Sequence, residues 1–334
     1  MDVSGLTREA RWFQRREDGK IVCSLCPHRC AIAEGAHGIC KIRSNAGGVL
    51  LLPYYGRVSA LAVDPIEKKP LYHFHPGSRI LSVGFVGCSF HCKFCQNWHI
   101  SQSTDVETWA MPPEELVQKA SAAGSFGIAY TYSEPLIYAE YLLDSARAAR
   151  EAGLKNVLVS NGYINPEPAE EVLSLIDAAN IDLKSFDPEF YRRETGGRLD
   201  EVKRFIGEAA SRIHLEVTTL VIPTKNDDPL QIEELARFVA SLSPDIPLHL
   251  SCYFPQYKYT IPPTPPALVK KLAHVAKRHL RYVYIGNMGS EESNTLCPTC
   301  GSVLVRRLGY AVKVEGLRGS TCRKCGTGVP IVTA

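Results

Sequence analysis

The sequence predicts an α/β protein: a partial (β/α) barrel with a small cysteine-rich, metal-binding extension at each end. Three observations lead there. Between residues 80 and 286, seven short runs rich in β-branched residues alternate with helical patterns. The flanking stretches, 1–79 and 287–334, lack that alternation. The 12 cysteines fall in three groups plus Cys252, one group in each flank and one directly after the first predicted barrel strand.

The predicted strands are 80–86, 128–132, 156–160, 180–183, 214–221, 248–253 and 282–285, recurring about every 33 residues, the length of a β-α repeat. Helices are predicted at 113–123, 136–152, 166–176, 229–242 and 265–279. Four of the five carry proline in or near the first turn, where a missing N–H costs nothing. Neither flank can bury enough apolar surface by itself, so each is expected to be stapled by metal.

With 45% hydrophobic and 22% charged residues and a net charge of +3, the chain is an ordinary globular protein without a strong pull toward nucleic acid or anionic membrane. No apolar run approaches the ~20 residues that span a bilayer, and residues 1–18 lack the apolar segment of a secretory signal. The expected location is cytoplasmic. In a reducing compartment, 12 cysteines mean metal or redox chemistry rather than disulfides.

Cys88, Cys92 and Cys95 have C-x3-C-x2-C spacing. Three thiolates leave one iron of a four-iron cluster open to another ligand, a catalytic feature. The alternative is a zinc knuckle completed by His91 or His99. Other chemistry-bearing residues also fall at the C-terminal ends of predicted strands, where such barrels place their sites. These are Ser133 and Glu134, Ser160 and Asn161, Asp182 and Lys184, Pro223 with Asn226 and Asp227, His249, and Gly286 with Asn287.

Asp182 and Lys184 are two apart and share a face, while Ile181 and Leu183 face the helices. A structural ion pair is the alternative. By the same parity His249 points inward, as a proton donor or substrate contact or as a hydrogen-bonded structural histidine. Cys252 then points outward as a small buried hydrophobe. Segment 64–75 is dense in titratable groups and is expected to lie against the barrel mouth, offering Glu67, Lys68, His73 and His75 to a polar substrate.

Cys297, Cys300, Cys322 and Cys325 form C-x2-C pairs 21 residues apart, a strong tetrathiolate signal for zinc, with rubredoxin-like iron as the alternative. Cys23, Cys26, Cys30 and Cys40 are less regular and suit zinc or an auxiliary iron–sulfur cluster. Six basic residues between 301 and 325, Arg306, Arg307, Lys313, Arg318, Arg323 and Lys324, face only Glu315. They suit a solvated ribbon, or a contact with RNA or an acidic partner.

These motifs resemble the radical SAM enzymes, whose C-x3-C-x2-C loop holds a [4Fe-4S] cluster on a partial TIM-like barrel. The resemblance extends to CSLCPHRCAIAEGAHGIC, VDPIEKKPLYHFHPGS, IAYTYSEPL, DAANIDLKSFDPEFY, LEVTTLVIPTKND and NTLCPTCG. Together these are similar to the radical SAM member of the AmmeMemoRadiSam system, related to pyruvate formate-lyase activating enzymes. The resemblance implies reductive cleavage of S-adenosylmethionine to a 5′-deoxyadenosyl radical that abstracts hydrogen from a substrate. It also implies a flavodoxin or ferredoxin as electron donor, and AMMECR-like and Memo-like proteins as partners.

Related activating enzymes carry GGEP where this chain has Tyr132-Ser133-Glu134-Pro135. By resemblance, Ser133 and Glu134 lie near the cosubstrate amino group, Asp182 and Lys184 near its methionine part, and Ser160 and Asn161 near its ribose. His249 is also counted among the cosubstrate contacts. Two other readings remain: an activase acting on a protein glycine, and a non-catalytic zinc module that binds RNA or protein.

Overall fold

The computed structural model describes residues 7–288 and 293–333. Eight strands form its main sheet: β1 (Ala60–Pro65), β2 (Arg79–Gly84), β3 (Gly127–Thr131), β4 (Lys155–Ser160), β5 (Ala178–Asp182), β6 (His214–Val221), β7 (Leu248–Cys252) and β8 (Val283–Gly286). They lie side by side in chain order. Strands β2 to β8 are parallel, and β1 runs antiparallel along β2. Among the described residues β1 and β8 do not pair, so the sheet is open.

All seven predicted strands are present. Each parallel step needs a crossover, and six helices supply one each: α1 (Pro113–Ala122), α2 (Ala139–Glu151), α3 (Pro166–Leu173), α4 (Leu199–Ala210), α5 (Pro229–Leu242) and α6 (Pro266–Ala276). Proline opens α1, α3, α5 and α6. Helix α4, not predicted, has neither proline nor a capping side chain, yet buries Leu199, Val202, Phe205, Ile206 and Ala209 along one face. Strand β1 was also not predicted; it ends in proline, which only an edge strand tolerates. It belongs to the stretch read as an extension, so the sheet crosses the expected boundary at residue 79.

Strand parity separates two apolar layers. Leu81, Val83, Ile128, Leu158, Ile181, Val217, Leu250 and Cys252 join the helices in the main core, so Cys252 does face the helices. On the other face Ile80, Ala129, Val157 and Ala178 pack against Ile66, Leu71 and Phe74. Residues 66–74 therefore run down the inner face of the sheet, where Asn180 Nδ2 donates to the Pro70 carbonyl at 2.7 Å. This corrects the expected placement of the whole segment at the mouth. Of its four nominated residues, Lys68 borders the cavity there. Glu67 and His73 are buried, and His75 stacks on Phe126 at 4.8 Å.

Above the inner apolar layer lies a buried polar one. Glu216 accepts from the His73 backbone N–H at 2.7 Å and is bonded to His214 Nε2 at 3.1 Å and His249 Nε2 at 2.6 Å. Burial opposes a charge there, but the bonds to His214 and His249 outweigh it and hold Glu216 well below the usual carboxylate range. His73 is fully buried and its Nε2 meets the Tyr284 hydroxyl at 2.6 Å. Burial pushes its pKa down to about 3.

Unfolded His73 gains a proton near pH 6.5, whereas folded His73 does not, so acid favours the unfolded chain through this window. Stability is expected to fall by about 2–3 kcal/mol between pH 6.5 and 4.5. Denaturant titration of wild type and His73→Gln checks it: the variant should lose this slope and keep the loss below pH 4.5 that Glu216 causes.

The N-terminal stretch is less autonomous than expected. Trp12, Ile21, Leu25, Ile32, Ile42, Leu50 and Leu52 belong to the same continuous core as the sheet and helices. The C-terminal stretch does have its own small core, Leu304, Val305, Leu317, Val329 and Ile331. It forms a three-stranded ribbon (Thr295–Leu296, Val303–Leu308, Ala311–Val314) and a short pair (Leu317–Arg318, Thr321–Cys322). Arg307 docks it, donating to the Tyr72 carbonyl at 2.6 Å and facing Glu67 at 3.7 Å. Arg306 and Lys313 both pair with Glu315. Arg323 donates to the Leu317 carbonyl at 2.6 Å, so four of the six basic residues nominated for an acidic partner are already engaged. No helix among the described residues is long and apolar enough to cross a membrane.

Candidate active site

A cavity of about 310 Å³ opens at the C-terminal ends of the strands. Its wall brings together most of the nominated residues: Cys88, Cys92, Cys95, Ser133, Ser160, Asn161, Asp182, Lys184 and Asn287. The three cysteines sit on the loop between β2 and the short helix Trp98–Ser101. Gly87 opens that loop at φ +82°, and a Cβ there would stand 2.5 Å from the Cys40 carbonyl oxygen. Only glycine lets the loop lie so close to the N-terminal stretch.

The cysteine loop supplies hydrogen bonds to its own sulfurs. The Phe90 N–H donates to Cys88 Sγ at 3.3 Å, and Ser101 Oγ lies 3.2 Å from Cys95 Sγ. Asn161 Nδ2 reaches Ser89 Oγ at 3.0 Å and Cys88 Sγ at 3.6 Å. Bonds of this kind tune an iron–sulfur site. Asn161 thus braces the cysteine loop while also forming part of the wall. Burial pushes the Cys92 thiol up to about 12, partly offset by the Lys184 ammonium.

Lys184 Nζ is 2.9 Å from Asp182 Oδ2. Burial works against its charge, but Asp182 and Cys92 overcome this and raise its pKa. The pair therefore presents a fixed ammonium next to the cysteines. Ser133 Oγ and Thr218 Oγ1 are buried in the same wall, and neither has a hydrogen-bond partner among the described residues. Two buried, unpaired hydroxyls on wall residues, a retained cation and three thiols form a donor set that suits a polar, zwitterionic ligand beside a metal cluster.

Glu134 lies behind the wall rather than in it. Its carboxylate accepts from the Ser160 hydroxyl at 2.7 Å, the Asn161 N–H at 2.9 Å and the Leu136 N–H at 3.0 Å. Burial raises its pKa to about 7 against the pull of those bonds. Its visible work is to hold the end of β4 to the turn after β3. His249 is also outside the cavity wall, bonded to Glu216 and stacked on Tyr284 at 5.4 Å. Ser251, two residues on, is the part of β7 that reaches the cavity. Asn226 donates to the Lys184 and Leu220 carbonyls at 2.6 and 2.8 Å and so fixes the turn after β6.

Sequence reasoning missed Tyr132, Asn97, Lys69 and Thr218. Tyr132 holds φ +69°, a left-handed conformation uncommon for a residue other than glycine. Its ring lies over Gly84, where a Cβ would meet it at 2.8 Å. Its hydroxyl donates to Asp64 at 2.5 Å, and Lys69 Nζ sits 4.4 Å above the ring. Asn97 Nδ2 donates to the Tyr132 carbonyl at 2.6 Å, tying the cysteine loop to this turn. The dense charge of segment 64–75 was the available signal for Asp64 and Lys69.

Fold and site together define an α/β protein with a thiol-lined cavity at the carboxyl ends of a parallel sheet. Residues 82–239 match the radical SAM superfamily, so the chain carries a radical SAM domain. It is 40% identical over 334 residues to the uncharacterized protein MJ0808 of Methanocaldococcus jannaschii, covering 97% of this chain and 99% of that one. It is 24% identical over 175 residues to the pyruvate formate-lyase 1-activating enzyme of Escherichia coli K12, covering 50% and 70%. A domain of a pyruvate-formate lyase-activating enzyme from Bacteroides vulgatus overlaps 48% of this chain and 99% of its own length, at 21% identity and a TM-score of 0.43.

Proposed function

We propose that this chain reductively cleaves S-adenosylmethionine at a [4Fe-4S] cluster held by Cys88, Cys92 and Cys95, and uses the resulting radical to abstract hydrogen from a substrate. The observation that carries this reading is that the three cysteines share one cavity wall with the Asp182–Lys184 pair and the unpartnered hydroxyls of Ser133 and Thr218. A three-thiolate cluster supplies an open iron and one electron. The chain's own groups would do the rest. Lys184, fixed by Asp182, faces the carboxylate of the ligand, and Ser133 and Thr218 gain the hydrogen bonds they lack. Ser160 and Asn161, held by Glu134, form the wall beside them.

A low-potential flavodoxin or ferredoxin would be the electron donor in the cytoplasm. AMMECR-like and Memo-like proteins are the partners that the resemblance suggests. The four C-terminal cysteines would hold one zinc ion. The similarity to pyruvate formate-lyase activating enzymes favours a second reading, in which the hydrogen comes from a glycine of a partner protein.

The test is anaerobic reconstitution with iron and sulfide, reduction, and addition of S-adenosylmethionine. Methionine and 5′-deoxyadenosine should form with wild type and fall to the enzyme-free level in the Cys88→Ala/Cys92→Ala/Cys95→Ala variant. A reducible cluster that forms neither product would sink the reading. Under the second reading, electron paramagnetic resonance should find a radical on a partner polypeptide rather than on a small molecule.

A further inference from the structure

The four N-terminal cysteines differ in geometry from the four C-terminal ones. At the C-terminal site the donor sulfurs all lie within 4.8 Å of one another, and among the described residues this is the one cluster of three or more Cys, His, Asp or Glu donors so closely gathered. Cys23, Cys26, Cys30 and Cys40 instead line a small cavity, with Leu25, Ile32 and Ile137 as apolar wall. That cavity admits a water-sized sphere. Such a sphere, of radius about 1.4 Å, keeps its centre about 3 Å from surrounding sulfurs. A single zinc ion draws its sulfurs to about 2.3 Å. The N-terminal sulfurs therefore surround more space than one ion fills.

A structural staple is also not needed there. The N-terminal stretch shares the main core and is anchored by the buried Arg43–Glu140 pair. What the cysteines do have is contact with the cavity loop. The Cys40 carbonyl lies against Gly87, the residue before Cys88. His28, between Cys26 and Cys30, has Nε2 2.7 Å from the Ser89 carbonyl. The Ile39 N–H donates to Cys30 Sγ at 3.4 Å, a bond suited to a thiolate.

We infer that Cys23, Cys26, Cys30 and Cys40 hold a second [4Fe-4S] cluster, closed by protein thiolates on all four irons, as a one-electron centre beside the loop of the open site. On reduction it takes one electron from an external low-potential one-electron carrier, which is oxidised by one electron, and no bond is made or broken. With all four irons occupied it has no corner for S-adenosylmethionine. The inference goes beyond the proposed function and stands without it, because it is read in protein that lacks the open site.

The experiment uses the full chain, reconstituted anaerobically with iron and sulfide. The Cys88→Ala/Cys92→Ala/Cys95→Ala variant should retain about four iron and four sulfide per chain. After dithionite reduction it should give a paramagnetic signal that S-adenosylmethionine leaves unchanged. Adding Cys26→Ser and Cys30→Ser should remove that iron and leave one zinc. Should the variants fail to fold, wild type decides: about eight iron per chain, with one of two reduced signals unmoved by S-adenosylmethionine and the two broadened by mutual coupling. Two zinc per chain with about four iron in wild type, or no iron in the triple variant, overturns the proposal. So does a single iron in that variant.

Discussion

Arg43→Met is expected to destabilise the fold by about 3–5 kcal/mol, whereas Arg43→Met combined with Glu140→Leu should cost far less. Arg43 is 1% exposed, and its guanidinium forms a two-pronged pair with the Glu140 carboxylate. It also donates to the Ile137 carbonyl at 3.2 and 3.1 Å. The partner carboxylate accepts from the Arg11 N–H at 2.7 Å. One buried side chain thus holds the N-terminal stretch to the turn that follows Ser133-Glu134-Pro135. Removing it leaves the Glu140 charge in a low-dielectric interior and four carbonyl or carboxylate oxygens short of a donor.

The paired apolar variant removes both charges together, so the desolvation cost disappears along with the attraction. Urea titrations of the two single variants and the double variant measure the coupling directly. A double variant as unstable as Arg43→Met would show that the pair itself, rather than an uncompensated charge, supplies the stability.

Arg43 also shows where sequence reading stops. The seven parallel strands were legible because each is a short β-branched run bounded by turn residues, and four helices because proline marks their first turn. The cavity wall was legible through local spacing: C-x3-C-x2-C, and the two-residue step from Asp182 to Lys184. Arg43, Glu140, Tyr132 and Arg307 carry no such local mark. Their roles come from pairings such as Arg43 with Glu140 and Arg307 with Tyr72, which only the folded chain brings together. Glu134 and His249 illustrate the converse. Each lies near the predicted strand end, but Glu134 is occupied by three protein donors and His249 by Glu216. Sequence parity gives the direction of a side chain but not whether a protein partner already meets it there.

Withdrawing a metal ion from the four C-terminal cysteines should have the largest local effect. The ribbon's own core is seven residues, two of them the cysteines Cys297 and Cys322, too few to offset the conformational entropy of about 40 residues. The sulfurs stand ready for one ion: Cys297 to Cys325 at 3.5 Å and Cys300 to Cys322 at 3.7 Å. Four ligands at 2.3 Å from a tetrahedral ion lie about 3.8 Å apart. A structural zinc at such a site would supply roughly 10–16 kcal/mol of apparent binding free energy, which would act as folding free energy for the ribbon.

A strong chelator, or Cys300→Ser with Cys322→Ser, is therefore expected to unfold the ribbon while the main sheet persists. Trypsin should then cut at Lys313, Arg318, Arg323 and Lys324, sites resistant in the metal-loaded chain. Mass spectrometry of the early fragments reads the outcome. The loss should reach the sheet in one respect: Arg307 would leave Glu67, which is 4% exposed, without its cation. Burial already raises the Glu67 pKa against the pull of Arg307, so losing Arg307 should raise it further. Unchanged tryptic resistance after the metal is removed would mean that Arg307 and the small ribbon core suffice, and that the four cysteines are not what folds the tail.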